Sequence, residues 1–416
     1  GATAEPAPAT LPLPGDREID VVIVGAGYTG LSTALHLATN GTGVVCLDAE
    51  KPGFGASGRN GGQVVPGFKT YPDDLIARYG VERGEALVHF GARIADDLFS
   101  LVAEHGIACD ARRSGWIHAG HHPSKLPEQR WKHDQWAARG EPVAWLDAQA
   151  IAERLGSEVY VGGWIDERGG TVHPLSLARG LARAALAAGA RVHGETRVTR
   201  ITREGDGWRV QTDHGRIRAR IVVVATNGYT ARLVPKLAGT VVAVESAQIA
   251  TEPLPPQILS RILPGLACVS DTRRSLLYYR RTRDGRFVIG GRGGILLETG
   301  PDRYRRLVTA AKSIYPQLSD VSWTHRWAGK LAVTLDHIPH LHESSPGLIA
   351  SLGCNGRGVA YSCAIGRVIA QRIMSGDWAA APVPVSTITP MPMAPFRRLG
   401  AAMVAGWYEW RDGRST

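Results

Sequence analysis

Three glycines and one acid carry the first chemical clue in this chain. Gly25, Gly27 and Gly30 stand in the run Gly-Ala-Gly-Tyr-Thr-Gly, with Tyr28 and Thr29 between the last two, and Asp48 follows 23 positions after Gly25. At this spacing the first glycine permits a tight turn, the second lets backbone approach a pyrophosphate, and the third lets a helix pack close to a strand. An acid about 20 residues on is placed to accept from a ribose hydroxyl. The chemistry is dinucleotide binding, and the motif alone does not separate FAD from NAD. A second group follows directly: Gly55, Ala56, Ser57, Arg59, Asn60, Gly61, Gly62 and Gln63, in a stretch with five glycines in the eleven residues from Gly53. A loop so poor in core-forming side chains brings backbone against something flat or charged. A third group, Asn355, Gly356, Arg357, Gly358 and Val359, opens a helical pattern. Free N–H groups and partial positive charge at such a helix start suit an anionic partner.

The elements that must position these groups can be read from periodicity. The apolar run Val21 to Val24 is a strand, residues 31–38 are helical, and 43–48 form a second strand ending at Asp48. Further on, residues 81–105 carry Leu87, Phe90, Ile94, Leu98 and Leu101 on one helical stripe. Residues 114–120 read as a strand, 125–139 as a surface helix, and an Ala/Leu helix runs from Pro174 to Gly189. A strand reaches Val198, a hairpin turns at residues 213–215, and a buried strand at 221–225 ends at Ala225 and Thr226. The strands around Val198 and Ala225 both read as buried members of a parallel sheet. Residues 276–291 form a hairpin about Asp284-Gly285.

Composition narrows the class. With 416 residues and 44% hydrophobic content, the chain suits one large or two intertwined domains with a sizeable core. The net charge of +10 comes from 48 Lys and Arg spread along the chain, with no basic-aromatic run of the kind that marks a nucleic-acid face. No apolar run reaches the 18 residues of a membrane span. The five cysteines show no metal or redox spacing, and their odd number fits a reducing cytoplasm rather than a disulfide scaffold. The histidines at 118, 121 and 122 lack carboxylates or cysteines at ligand spacing, and Pro339 interrupts the set at 337, 340 and 342, so no metal is expected. The Ala- and Pro-rich start, within residues 1–17, reads as a flexible lead-in.

Residues 25–38 (GAGYTGLSTALHLA) and 53–63 (GFGASGRNGGQ) resemble the FAD-dependent D-amino-acid oxidase superfamily, in the branch of glycine, sarcosine and gamma-glutamylputrescine oxidases. The resemblance implies an α/β fold: a Rossmann-like FAD-binding domain interleaved with an α+β substrate domain built on a large antiparallel sheet. The corresponding limits are 18–85, 150–240 and 325–380 for the FAD domain, 86–149 and 241–324 for the substrate domain, and 381–416 for a tail. FAD contacts are implied at the glycine turn, at Asp48 and Ala49, throughout the loop from Gly55 to Gln63, at the backbone of Val198, and at Ala225, Thr226 and Gly228. Further contacts are implied at Gly329 and at Asn355 to Val359, where the helix start would face the reduced ring.

Tyr278, Tyr279 and Arg280 become candidates for the substrate wall. Lys330, Arg357 and Tyr279 become candidate catalytic residues, Lys330 to stabilise negative charge and Arg357 to pair with a substrate carboxylate. Residues 327–340, where some relatives attach FAD through a cysteine, contain none, which implies non-covalent FAD.

The implied reaction is oxidation of a small-molecule amine or amino acid at its C–N bond, by hydride transfer to flavin N5. Imine hydrolysis follows, and dioxygen is reduced to hydrogen peroxide. Three alternatives stay open: a secondary amino-acid oxidase acting on L-pipecolate or a similar substrate, a dehydrogenase passing electrons to a quinone or carrier, and a non-catalytic FAD subunit of a complex. The amphipathic tail at 395–410 could meet the protein's own surface, a second subunit or a membrane, and the oligomeric state is left open.

Overall fold

The apolar run at residues 21–24 forms the inner half of the strand Arg17–Val24, with no side chain there more than 6% exposed. Burial on both faces is what a parallel strand covered by helices demands. This strand pairs in parallel with Arg216–Val224 on one side and Val44–Leu47 on the other. The computed structural model describes residues 1–292, 302–379 and 381–392. The expected tail helix at 395–410 therefore lies outside the described residues.

From edge to edge the first sheet runs His340–Ser345, Leu348–Leu352, Arg216–Val224, Arg17–Val24, Val44–Leu47, Arg191–His193. Only the outer pair, His340–Ser345 with Leu348–Leu352, is antiparallel along this path. Val198–Glu204 and Gly207–Thr212 extend Arg216–Val224 as an antiparallel meander. The strand at Val198 thus differs from the buried parallel strand expected. Only Val198 itself is buried on it, because Arg200, Arg203 and Glu204 need water.

The first helix, Tyr28–Thr39, starts inside the glycine turn and packs on the last, Gly358–Ser375. Gly366 is the crossing point, since a Cβ there would stand 2.8 Å from the Thr29 carbonyl. Ser32 Oγ donates to the Cys363 carbonyl (2.7 Å) and Thr33 Oγ1 to that of Gly366 (3.2 Å). This contact ties the two glycine-rich helix starts into one rigid edge.

The second sheet has eight strands, in the order Trp323–Val333, Val242–Thr251, Phe287–Arg292, Leu277–Arg281, Cys268–Asp271, Trp116–Gly120, Gly162–Asp166, Val143–Leu146. All its neighbours are antiparallel except Cys268–Asp271 with Trp116–Gly120. Its outer face packs Ile249, Phe287 and Ile289 under Leu307, Ala311 and Ile314 of the helix Asp302–Ile314.

Sheet membership divides the chain differently from the limits set at 86, 150 and 325. Gly162–Asp166 and Trp323–Val333 ladder with the antiparallel sheet. The helix Val81–Glu104 instead shares a core with the first sheet and is tied to the last helix by Arg367 and Asp97 at 2.6 Å.

The lead-in is also docked. Leu13 is 3% exposed and its N–H donates to Thr196 Oγ1, while Arg183 holds the Pro6 carbonyl at 2.8 Å. All five cysteines are free thiols. Among the described residues no helix is long and apolar enough to cross a membrane.

Candidate active site

The glycine turn is shaped by what a side chain would strike. Gly25 takes φ +108°, and a Cβ there would lie 2.8 Å from the Ala225 carbonyl. At Gly30 a Cβ would lie only 2.0 Å from the Gly25 carbonyl, so only glycine lets this helix sit on this strand. Asp48 closes the turn: Oδ2 accepts from the Ala26 N–H (2.7 Å) and Oδ1 from that of Glu50 (2.9 Å). Burial raises the Asp48 pKa from its ordinary value, and those two N–H groups oppose the rise. Ser57 Oγ accepts from the Tyr28 N–H at 3.0 Å. No side chain caps the helix otherwise, so the rest of its first-turn N–H groups are available to an anion.

The loop at 55–63 is fixed largely by Asn60. Its Nδ2 donates to Tyr28 Oη and to the carbonyls of Ala56 and Ser57, and its Oδ1 accepts from the Gly62 N–H. The Arg59 carbonyl accepts from Gln248 Nε2 (2.6 Å) and Trp327 Nε1 (3.0 Å), which binds the loop to the antiparallel sheet. Gln63 reaches the same sheet, donating to the Val269 and Tyr279 carbonyls.

Between the two sheets lies one continuous cavity of about 1530 Å³. Ligand pockets usually span ~300–1,000 Å³, so this one has room for a dinucleotide and a substrate together. Its wall includes Gly25, Gly27, Tyr28, Thr29, Asp48 and Ala49 at one end. Gly55, Ala56, Ser57, Arg59, Asn60, Gly61 and Gln63 follow along it. Val198, Ala225, Thr226, Gly329, Lys330 and the five residues from Asn355 to Val359 complete the set expected from sequence.

Five expected residues lie outside the wall. Gly30 serves helix packing, Gly62 faces the Val172 carbonyl and Arg280, and Gly228 abuts the backbone at Lys330. Tyr279 is the clearest correction: it is 1% exposed and packs against Phe287 and Tyr315 on the far side of the sheet. Strand alternation puts its neighbour Tyr278 on the cavity wall instead, against Gly61 and hydrogen-bonded to Ser246. Arg280 also misses the cavity, donating from Nε to the Gly61 carbonyl at 2.6 Å.

Two other expected side chains are engaged with the protein. Asn355, at φ +51°, accepts from the Thr334 N–H at 2.9 Å and shapes the turn before the last helix. Arg357 donates from Nη1 to the Pro66 (3.2 Å) and Phe68 (2.5 Å) carbonyls, and from Nη2 to Tyr71 Oη (3.3 Å).

Sequence reasoning passed over a cluster on the strand Trp116–Gly120. Trp116 and His118, two apart and so on one face, both line the cavity, their rings stacked at 5.1 Å. The Arg357 guanidinium lies 5.2 Å from the Trp116 ring. Trp116 Nε1 donates to Ser270 Oγ, which donates to Gln63 Oε1, both at 3.0 Å. His118 Nδ1 is buried and unpartnered among the described residues. Burial, then Lys132 and Arg357, push its pKa well below the usual histidine value, so it is neutral. The usable signal was alternation, which placed an aromatic and an imidazole together on a cavity face. The triplet of nearby histidines drew attention to metal binding instead, yet His121 bonds Thr272 and His122 bonds Ser124.

With this geometry in place, a family model described as FAD dependent oxidoreductase (DAO) matches residues 20–372. The chain belongs to the DAO family of FAD-dependent oxidoreductases. It is 34% identical over 361 residues to gamma-glutamylputrescine oxidoreductase of Escherichia coli (strain K12), covering 86% of this chain and 84% of that one. It is likewise 34% identical over 361 residues to a probable oxidoreductase, OrdL, of Rhizobium meliloti (strain 1021), with the same coverage. The fold is similar to the crystal structure of glycine oxidase from Geobacillus kaustophilus, with a TM-score of 0.75 at 23% identity over 90% of this chain and 99% of that one. The site suits a cofactor that carries phosphates: beyond the Ser57 contact the first helix start keeps N–H groups for an anion, and no side chain caps the start of the helix Gly358–Ser375.

Proposed function

We propose that this DAO-family protein oxidises the C–N bond of a primary amine of the gamma-glutamylputrescine type. The observation that carries this reading is the single cavity joining the glycine turn to the wall of Trp116, His118 and Tyr278. The choice of a substrate without an adjacent carboxylate rests on Arg357. A carboxylate-binding arginine presents a free fork, whereas this one is committed to Pro66, Phe68 and Tyr71.

In this reading Gly25 to Gly30 and the first helix hold the pyrophosphate, and Asp48 receives a ribose hydroxyl. FAD, when bound, supplies the two-electron acceptor. The chain's own residues set the protonation state of the substrate. Lys132 and Arg357 make the pocket unfavourable to an ammonium group, and neutral His118 adds no charge, so the amine is met in its reactive neutral form. Trp116 and Tyr278 orient its carbon chain by packing, and Lys330 stabilises developing negative charge from the rim. The overall conversion is amine, dioxygen and water to aldehyde, ammonia and hydrogen peroxide. FAD is held non-covalently, since residues 327–340 offer no cysteine to bond it.

The test is anaerobic mixing of the yellow holoprotein with gamma-glutamylputrescine, pipecolate, proline, sarcosine and glycine. Gamma-glutamylputrescine should bleach the flavin fastest, and admitted air should restore the colour with peroxide. Bleaching by the amino acids alone would overturn the substrate choice, and no bleaching at all would sink the amine reading. Acid precipitation of the same sample should leave a colourless pellet.

A further inference from the structure

A second cavity, of about 360 Å³, lies behind the loop that borders the first. Its wall gathers four arginines, Arg112, Arg280, Arg281 and Arg283, with Asp110 and Asp284. The two acids are already engaged, Asp110 with Arg283 at 3.2 Å and Asp284 with Arg286 at 2.7 Å. Arg112, Arg280 and Arg281 have no carboxylate within ion-pair reach among the described residues.

Arg280 is buried and Arg112 and Arg281 are half-buried, which makes the imbalance costly. Arg280 is 7% exposed, and among the described residues its side chain donates to the Gly61 and Arg281 carbonyls. Arg281 Nη1 donates to the Leu259 and Ile262 carbonyls, while its Nε is buried without a partner. Burial draws the Arg280 pKa down to about 10 and lowers that of Arg281, where Arg112 adds like-charge repulsion. A buried charge without a counter-ion is strongly unfavourable. Arg112 cannot simply swing its backbone away, because its N–H and carbonyl both bridge to Thr171, at 2.9 and 2.8 Å. Thr171 and Thr282 complete the same wall.

We propose that this cavity is a separate anion site that takes a compact oxyanion, a phosphate or a small dicarboxylate. Planar guanidinium forks match paired oxygens in just these groups. The site is distinct from the flavin cavity: Gly61 lines the larger cavity, and Arg280 grips its carbonyl from the smaller one. An occupant therefore stiffens the loop at 55–63 from behind. This inference stands whichever amine the enzyme oxidises.

The experiment uses the FAD-loaded protein and reads its melting temperature by flavin fluorescence. Sodium phosphate and sodium succinate are titrated separately against sodium chloride at matched ionic strength. One of the two oxyanions should raise the melting temperature saturably, and which one does so identifies the source. Arg112→Gln should raise the half-saturating concentration by about tenfold, the equivalent of ~1.4 kcal/mol. Arg112→Lys, which keeps the charge without the fork, should show a smaller loss and serves if the first variant does not fold. A response no greater than that to chloride, or an unchanged half-saturation in both variants, overturns the site.

Discussion

The two ends of the main cavity are built from different materials. At the glycine turn the wall is backbone, and its shape follows from missing side chains within a few residues of one another. At the aromatic end the wall is side chain, brought together by the strands Trp116–Gly120, Cys268–Asp271 and Leu277–Arg281. The backbone end allows one solution, because a carbonyl cannot move aside for a Cβ. The side-chain end can be altered residue by residue while the sheet beneath stays intact. On the proposed reading, that difference separates what binds the cofactor from what selects the substrate.

The largest effect should come from the backbone end. In Gly30→Val the added Cβ would meet the Gly25 carbonyl at 2.0 Å, and the Ile23 side chain at 3.1 Å. The cost should exceed the ~1–3 kcal/mol usual for overpacking, because the atom struck is backbone in a buried turn. The expected product is protein with little or no FAD, measured by the ratio of flavin to protein absorbance. A variant with a wild-type ratio would show that the turn can relax, and the contrast between the two ends would collapse.

A smaller effect, but a sharper one, separates two adjacent tyrosines at the other end. Tyr279→Ala should destabilise the fold by about 3–5 kcal/mol, as large aromatic deletions in cores do, and leave the amine KM of the folded fraction unchanged. Tyr278→Phe removes a hydroxyl bonded to Ser246, costs only ~0.5–1.5 kcal/mol, and should shift KM instead. Urea titrations and steady-state kinetics on both variants check this. A KM change in Tyr279→Ala matching that in Tyr278→Phe would place both rings in the site and refute the alternation.

These contrasts show why the chain was unevenly legible. The strand, turn and helix from Arg17 to Thr39 could be read because each cue sits beside the next: an apolar run, three spaced glycines, then helical periodicity. The hairpin at 277–292 was equally local, through Asp284-Gly285. What could not be read was parity, since Tyr278 and Tyr279 are equivalent until the sheet chooses a face. The engagement of Arg357 with Pro66 and Phe68 was hidden for a similar reason, as it spans nearly 300 positions. The docked lead-in was hidden too, because Ala- and Pro-rich sequence carries no periodicity to show that Leu13 is buried.

The smallest effect tests the charge state of the side-chain end. His118 is held below its ordinary pKa by burial and by Lys132 and Arg357. Its folded value therefore lies under the ~6.5 of an unfolded histidine. Such a group favours the fold fully above that unfolded value, and the contribution is lost as pH falls toward the folded one. The stability of wild type relative to His118→Gln should thus be constant from pH 8 to 7 and decline steadily below about 6.5. Denaturant melts of both proteins at each pH isolate this slope, because the other titrating groups are common to the pair. Burial first, and Lys132 and Arg357 after it, keep the imidazole neutral, and the same burial and cations are proposed to keep the substrate amine neutral. A difference flat to pH 5 would mean that neither the burial nor the cations depress His118, and the account of how the pocket selects the reactive amine would lose its physical basis.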